Sequence, residues 1–230
     1  MFWYYYDPTY ILIIIGAALS MWASYNVNGL IKSYRKVNSS TGLTAAEAAK
    51  RILQQNGIFD VNVRMISGAP SDYYSPRDKE VCLLAENYNS TSIASIGIAA
   101  HECGHAIQDA SGYVPLTIQR HLAPACSFGS SAGVYIVIAG IIFSYQPLIT
   151  VGIALFTLGV LLSLLLLPIE YNASNRALRI LESTGMMQGY ELAGAKKVLR
   201  AAGLTYVAAA AASILSLLRL ILLSNRNKRN

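Results

Sequence analysis

Residues 99–108 read AAHECGHAIQ, and the run His101-Glu102-Cys103-Gly104-His105 within them decides how the chain is interpreted. Its two histidines are four residues apart, a spacing that places both imidazoles on one face of a helix. Zinc binds such a pair and takes three protein ligands and a water at catalytic sites. Glu102 can act on that water as a general base. The run therefore predicts a zinc-binding helix, from about Ser90 to Asp109, and a protein that catalyses hydrolysis.

The alternative for this run is a pair of core histidines with a chance glutamate between them. Burying two imidazoles and a carboxylate beside apolar side chains such as Ile98 and Ile107 costs free energy unless a polar partner is present. Because zinc supplies that partner, we interpret His101 and His105 as metal ligands and Glu102 as the catalytic residue.

A third protein ligand is needed, and several residues qualify. The metzincin pattern would place a histidine where this chain has Ser111, so that pattern is excluded. Glu170 is favoured because the 65 residues that separate it from His105 are the length of one transmembrane hairpin. A carboxylate is an ordinary third zinc ligand beside two histidines. The other candidates are His121, Glu182 and Glu191.

The composition predicts a membrane protein. The chain has 230 residues, of which 54% are hydrophobic and 13% charged, whereas a soluble domain carries about 25% charged residues. The hydrophobic residues form long runs, as membrane spans do. The net charge of +6 does not indicate nucleic-acid binding, because the basic residues cluster beside these runs. The three cysteines have neither disulfide-framework nor zinc-ribbon spacing.

Hydropathy divides the chain into five segments. Residues 1–25 are an N-terminal transmembrane anchor, and 26–115 are a cytosolic part with a β-hairpin and the HExxH helix. Residues 116–168 are a transmembrane helical hairpin. Residues 169–203 are the third-ligand helical region, with Glu170 on its opening turn, where the helix dipole would also favour a carboxylate. Residues 204–230 are a C-terminal apolar helix and basic tail.

The distribution of Lys and Arg predicts a multi-pass cell-membrane protein whose active site is on the cytoplasmic side. Basic residues follow the first apolar run, whereas none precede it. Four full spans would place the basic C-terminal tail outside. We therefore expect residues 204–223 not to cross the membrane but to pack along the catalytic part.

The polar part contains local signals for one helix and two strands. Thr44 and Glu47 form a capping box for a helix over residues 45–55. Alternation predicts a strand over 59–66 and a second over Glu80–Leu84, which are expected to pair as a hairpin. An extended peptide substrate is expected to add to the exposed edge at Val81–Leu84.

The sequence resembles the YugP-type membrane zinc metallopeptidases along nearly its whole length. The segments that carry the resemblance occur in the expected order: TAAEAAKRIL (44–53), SDYYSPR (71–77), AAHECGHAIQ (99–108), LPIEYNASNRAL (167–178) and AAGLTYVAAA (201–210). The resemblance implies a site at His101, Glu102 and His105, with Glu170 as third ligand. A more distant resemblance is to the HtpX and CAAX-prenyl protease group, in which an aspartate occupies the position of Ser174. A carboxylate there would orient a ligand histidine, and Ser174 or Asn172 would do so more weakly.

These observations predict an α+β, predominantly helical integral membrane protein. It is expected to contain a zincin-like HExxH helix, a small β-hairpin and a bundle of three to four transmembrane helices. The expected function is that of a membrane-embedded zinc-dependent endopeptidase in which Glu102 is the general base for a zinc-activated water. Zn²⁺ is the expected cofactor. The expected partners are a peptide or membrane-protein substrate and the lipid bilayer, with no nucleic acid.

Two other functions were weighed against the endopeptidase. The alternative is a catalytically silent zinc-binding membrane scaffold, which would have no use for Glu102. A transporter is disfavoured because the predicted spans hold almost no ionisable residues. Three tyrosines are of the right type to stabilise an oxyanion: Tyr113, Tyr190 and Tyr206.

Overall fold

The computed structural model describes residues 7–227, with side chains as far as Asn225. In this range the elements are α1 (Tyr10–Tyr34), α2 (Ala45–Gln55), β1 (Asn62–Ile66), β2 (Tyr73–Ser75), β3 (Glu80–Leu84), α3 (Ala85–Tyr88), α4 (Ile93–Ala110), α5 (Val114–Ile142), α6 (Gln146–Ser183) and α7 (Gly189–Asn227). The predominantly helical fold with a small sheet is confirmed.

The chain forms two compact units. The membrane unit consists of the described parts of Met1–Ser24, Ile118–Leu167 and Thr205–Asn230. The polar unit consists of Tyr25–Thr117 and Pro168–Leu204. Within residues 7–227, four helices, α1, α5, α6 and α7, are long and apolar enough to cross a membrane, which agrees with the predicted bundle.

Small residues bring the helices of the membrane unit together. A Cβ on Gly133 would lie 2.6 Å from the carbonyl oxygen of Gly152, and one on Gly16 would lie 3.1 Å from Ala212. Glycine and alanine at such contacts let helix backbones approach closely, which drives association in lipid. Val137 and Ile149 are fully buried beside these contacts.

The last apolar run packs, from Thr205 onward, with the other apolar helices of the membrane unit, so the expectation that residues 204–223 pack along the catalytic part is wrong. Ser224 Oγ accepts a hydrogen bond of 2.9 Å from Gln146, which lies at the turn between α5 and α6. Arg219 pairs with Asp7, just before α1, at 3.3 Å. Together with the contact between Gly16 and Ala212, these pairs show that α7 runs antiparallel to α1 within the membrane unit.

The polar unit confirms the predicted helix and corrects the predicted strand pairing. Thr44 and Glu47 form both bonds of the capping box at the start of α2. The strand predicted over 59–66 is β1, but it pairs with β3 in parallel, while β2 pairs with β3 antiparallel. The hairpin is therefore made by β2 and β3. The three-residue strand β2 lies in a turn-rich segment and is too short to produce a recognisable alternation.

Helix α6 is continuous through Pro168, contrary to the expected helix start at that residue. The helix begins at Gln146, so Glu170 lies far from its N-terminus. The helix dipole acts within the first turn, so it does not account for Glu170. The core of the polar unit lies where α6 and α7 meet α2, α4 and the sheet, and includes Ile52, Leu83, Ile96, Leu181 and Val198.

Candidate metal centre

Helix α4 presents the two histidines of the HExxH run. Ser92 caps its N-terminus by accepting a hydrogen bond from the Ser95 amide, as is typical of an N-cap serine. The face formed by Ile96, Ala99, Ala100, Cys103 and Ala106 is buried in the core. His101 and His105 are partly exposed, with 14% and 15% of their side chains accessible. The helical period thus separates a packed face from a face that is open to a ligand.

Helix α6 approaches this face through Gly104. A Cβ at this position would lie 2.5 Å from the carbonyl oxygen of Ala173 and 3.1 Å from its Cα. Only glycine therefore permits this approach without a backbone shift. The approach brings Glu170, one turn before Ala173, to the two histidines.

His101, His105 and Glu170 meet at short distances. The Nε2 atoms of the histidines are 3.2 Å apart. Glu170 Oε2 is 3.2 Å from His101 Nε2, and its Oε1 is 3.7 Å from His105 Nε2. The structure thus unites the favoured set of three residues, whose possible ligand atoms all lie within 4.8 Å of one another.

The arrangement fits a tetrahedral metal ion. Two nitrogen ligands at about 2.0–2.1 Å from a tetrahedral zinc are roughly 3.3 Å apart, close to the observed 3.2 Å. When both imidazoles are neutral and both Nε2 lone pairs face each other, a cation between them would relieve their repulsion. In addition, Glu170 Oε2 is buried, and apart from its 3.2 Å approach to His101 Nε2 it forms no hydrogen bond among the described residues. These three residues could hold a metal, and their donor set suits zinc.

Each histidine has a polar side chain within hydrogen-bonding distance of its Nδ1 atom. Ser174 Oγ lies 3.0 Å from His101 Nδ1, so Ser174 contacts this histidine as anticipated, whereas Asn172 does not. Gln108 Oε1 lies 3.0 Å from His105 Nδ1. Such contacts fix the ring orientation and tautomer of metal-binding histidines.

Gln108 was not identified from the sequence, although it lies three residues after His105 on the same helix. It is fully buried. Its Nε2 donates to the carbonyl of Ile169 at 2.8 Å and to Asn172 Oδ1 at 3.0 Å. Its Oε1 is therefore the atom that faces His105 and accepts from Nδ1–H, which leaves Nε2 of His105 free to bind a metal. Gln108 thereby joins the two helices of the site.

The carboxylates and the surrounding protein change the protonation of the site. Burial raises the pKa of Glu102, an effect that the neighbouring imidazoles partly oppose. Burial lowers the pKa of His105, but the Glu170 carboxylate and the charge of Glu102 raise it more, to about 9 in the metal-free protein. Metal binding is therefore expected to displace a proton at neutral pH.

The other proposed ligands do not join this group. His121 is exposed on α5, and Glu182 is exposed on α6. Glu191 instead accepts hydrogen bonds of 2.8 Å from the Ser39 hydroxyl and the Ser40 amide. Among the tyrosines considered for an oxyanion, Tyr190 is exposed and its ring lies 6.4 Å from that of Tyr34.

The expected substrate-binding edge at Val81–Leu84 is not available. Strand β3 is central in the sheet, with β1 on one side and β2 on the other. Beyond the end of β2, the Leu84 amide donates to Asp72 Oδ1 at 2.7 Å. The prediction of this edge was wrong because β2 was not recognised.

Comparisons with known proteins agree with the resemblance seen in the sequence. A family described as "Putative neutral zinc metallopeptidase" matches residues 9–225. The chain is 40% identical over 212 residues to "Putative membrane protease YugP" of Bacillus subtilis (strain 168), which covers 92% of this chain and 94% of that protein. No solved structure matches.

Proposed function

The chain belongs to the neutral zinc metallopeptidase family, and on this basis we propose that it is a membrane-embedded zinc-dependent endopeptidase. The observation that carries the proposal is the group of His101, His105 and Glu170, next to the buried Glu102. Three protein ligands leave a zinc position open for catalysis, whereas structural zinc sites are closed by four. The partial exposure of both histidines also favours an enzyme over a silent scaffold.

The chain's own residues have distinct tasks in the proposed hydrolysis. Bound zinc would polarise the peptide carbonyl and lower the pKa of a water to about 7. Glu102 accepts the proton of the attacking water and passes it to the leaving amine. Burial brings the pKa of Glu102 upward, towards the range where one group serves as both base and acid. Ser174 and Gln108 fix the ring orientations of His101 and His105 through contacts with their Nδ1 atoms.

The decisive experiment replaces Glu102 with Gln in the full-length protein, purified in a neutral detergent. The variant is expected to bind zinc with a 1:1 stoichiometry while its kcat for a quenched fluorescent peptide falls by several orders of magnitude. Glu182→Gln is the matched control, since this exposed carboxylate on α6 lies outside the group of possible ligands. Wild-type hydrolysis by the Glu102→Gln protein would disprove the mechanism.

Glu170 is tested as the third ligand by the same substitution. Glu170→Gln is expected to lose zinc, because an amide oxygen is a weaker ligand than a carboxylate. Zinc content is measured by elemental analysis beside His121→Ala and Glu191→Gln, which should both retain the metal. Loss of zinc in either of these two variants, with retention in Glu170→Gln, would overturn the assignment.

The proposed substrates are peptides or membrane proteins cleaved on the cytoplasmic side. This side is supported by the basic residues that flank the polar parts of the sequence: Lys32, Arg35, Lys36, Arg176, Arg179, Lys196, Lys197 and Arg200. The opposite ends of the spans have fewer basic residues, namely Arg219 and those of the C-terminal tail.

Cysteine labelling in intact cells tests this orientation. All three native cysteines are buried, so an impermeant thiol reagent should modify only introduced ones. Asn225→Cys is expected to react from outside, and Ser40→Cys only after the membrane is opened. The reverse pattern would invert the topology.

A further inference from the structure

A groove runs between α6 and α7 in the polar unit, apart from the metal centre. It has a volume of about 370 Å³, equivalent to roughly a dozen waters at about 30 Å³ each. Leu178 and Leu192 contribute apolar surface, and Arg179, Lys196 and Arg200 contribute charge. We call this feature the basic groove.

Among the described residues, the three cations of the basic groove have no carboxylate partner. No ion pair involves them within the part of the chain that the structure describes, although Glu182 also lines the groove. Lys196 and Arg200 are four residues apart on α7, a like-charge spacing that destabilises a helix. The lining therefore carries three positive charges and one negative charge, and a bound anion would relieve the repulsion.

Arg179 has terminal guanidinium nitrogens that an oxyanion could use. Its Nε donates to the carbonyl of Asn175 at 3.3 Å. This bond fixes the base of the guanidinium and leaves its terminal nitrogens available. A guanidinium held in this way suits bidentate binding to phosphate.

We propose that the basic groove binds a phosphate-bearing anion, supplied by the headgroup of an anionic phospholipid. Helices α6 and α7 each contain a candidate membrane span. Arg200 is five residues before Thr205, where the membrane unit resumes, a distance of about 7–8 Å along a helix. Basic clusters that directly adjoin membrane spans attract anionic lipid headgroups. The leucines of the groove suit the acyl-chain methylenes next to the headgroup of such a lipid.

The test measures the apparent melting temperature of the full-length protein in neutral-detergent micelles, because a ligand of the native state stabilises it. Phosphatidylglycerol is expected to raise this temperature, while phosphatidylcholine, whose phosphate charge is balanced by choline, should have little effect. The triple variant Arg179→Gln, Lys196→Gln, Arg200→Gln is expected to lose the increase. Lys36→Gln, Lys50→Gln, Arg51→Gln removes three exposed charges elsewhere and should keep it.

Inorganic phosphate distinguishes the two sources of the anion. If millimolar phosphate reproduces the full increase, the groove binds phosphate but its occupant is a soluble compound, and the lipid assignment is overturned. An equal increase in the wild type and the triple variant, or none in the wild type, overturns the site itself. If the triple variant does not fold, Arg200→Gln alone should reduce the increase by half or more. Zinc content is measured in every sample. Loss of the metal centre, on which the proposed peptidase function depends, is thereby distinguished from loss of the lipid site.

Discussion

Gly104 lies against Ala173 so closely that a Cβ on the glycine would be 2.5 Å from the alanine carbonyl oxygen. The contact joins the helix that carries both histidines to the helix that carries Glu170. A glycine inside a helix interior costs about 0.5–1 kcal/mol relative to alanine. Glycine at this position therefore costs helix stability but permits the close approach that completes the group of possible metal ligands.

Gly104→Ala is expected to push α6 away from α4 and to weaken metal binding at least tenfold. Overpacking of this kind destabilises a protein by about 1–3 kcal/mol. The metal dissociation constant is measured by competition with a chelator, together with thermal unfolding. Gly29→Ala serves as control, since nothing lies within 4 Å of a Cβ there. An unchanged metal affinity in Gly104→Ala would show that the contact does not position Glu170.

Gln108→Leu is expected to reduce metal affinity by about 10–100-fold, the usual effect of removing a residue that orients a ligand histidine. The leucine fills the space but accepts no hydrogen bond from His105 Nδ1–H. The exposed Gln54→Leu on α2 is the matched substitution and should leave affinity unchanged. Equal affinities in the two variants would remove Gln108 from the site.

Ser174→Ala is expected to weaken metal binding by roughly tenfold, since His101 Nδ1 then loses its partner. Ser174→Asp should restore or exceed wild-type affinity, because a carboxylate accepts the imidazole proton more strongly than a hydroxyl. Ser183→Ala, at an exposed serine near the end of α6, controls for the loss of a hydroxyl. Weaker binding by Ser174→Asp than by Ser174→Ala would contradict this role.

Metal affinity is expected to increase with pH up to about 9. The pKa of His105 in the metal-free protein is raised to about 9, so below that pH a proton occupies the imidazole and competes with the metal. For one proton released, the dissociation constant should fall by about tenfold for each pH unit and then level off. Chelator competition at pH 6 to 10 measures the slope. A constant affinity between pH 6 and 9 would exclude this coupling.

Local sequence signals predicted the elements that depend on neighbouring residues. The capping box at Thr44 and Glu47 specifies where α2 begins, because its hydrogen bonds link residues three apart. The spacing of His101 and His105 predicts their common helix face for the same reason. The long apolar runs predict the spans, since few other environments accommodate them.

Tertiary structure decided the features that depend on residues distant in sequence. No local pattern revealed that β1 pairs with β3 in parallel or that β2 lies on the other side of β3. The direction of α7 depends on contacts of Ala212, Arg219 and Ser224 with residues far away in the chain. The sequence by itself determined which residue types stand at the spacing of the proposed metal chemistry, through His101, Glu102 and His105. The tertiary structure placed Glu170 beside the two histidines, through the packing of Gly104 on Ala173, and it placed Gln108 within hydrogen-bonding distance of α6. Such proximity arises from contacts between helices and not from local spacing.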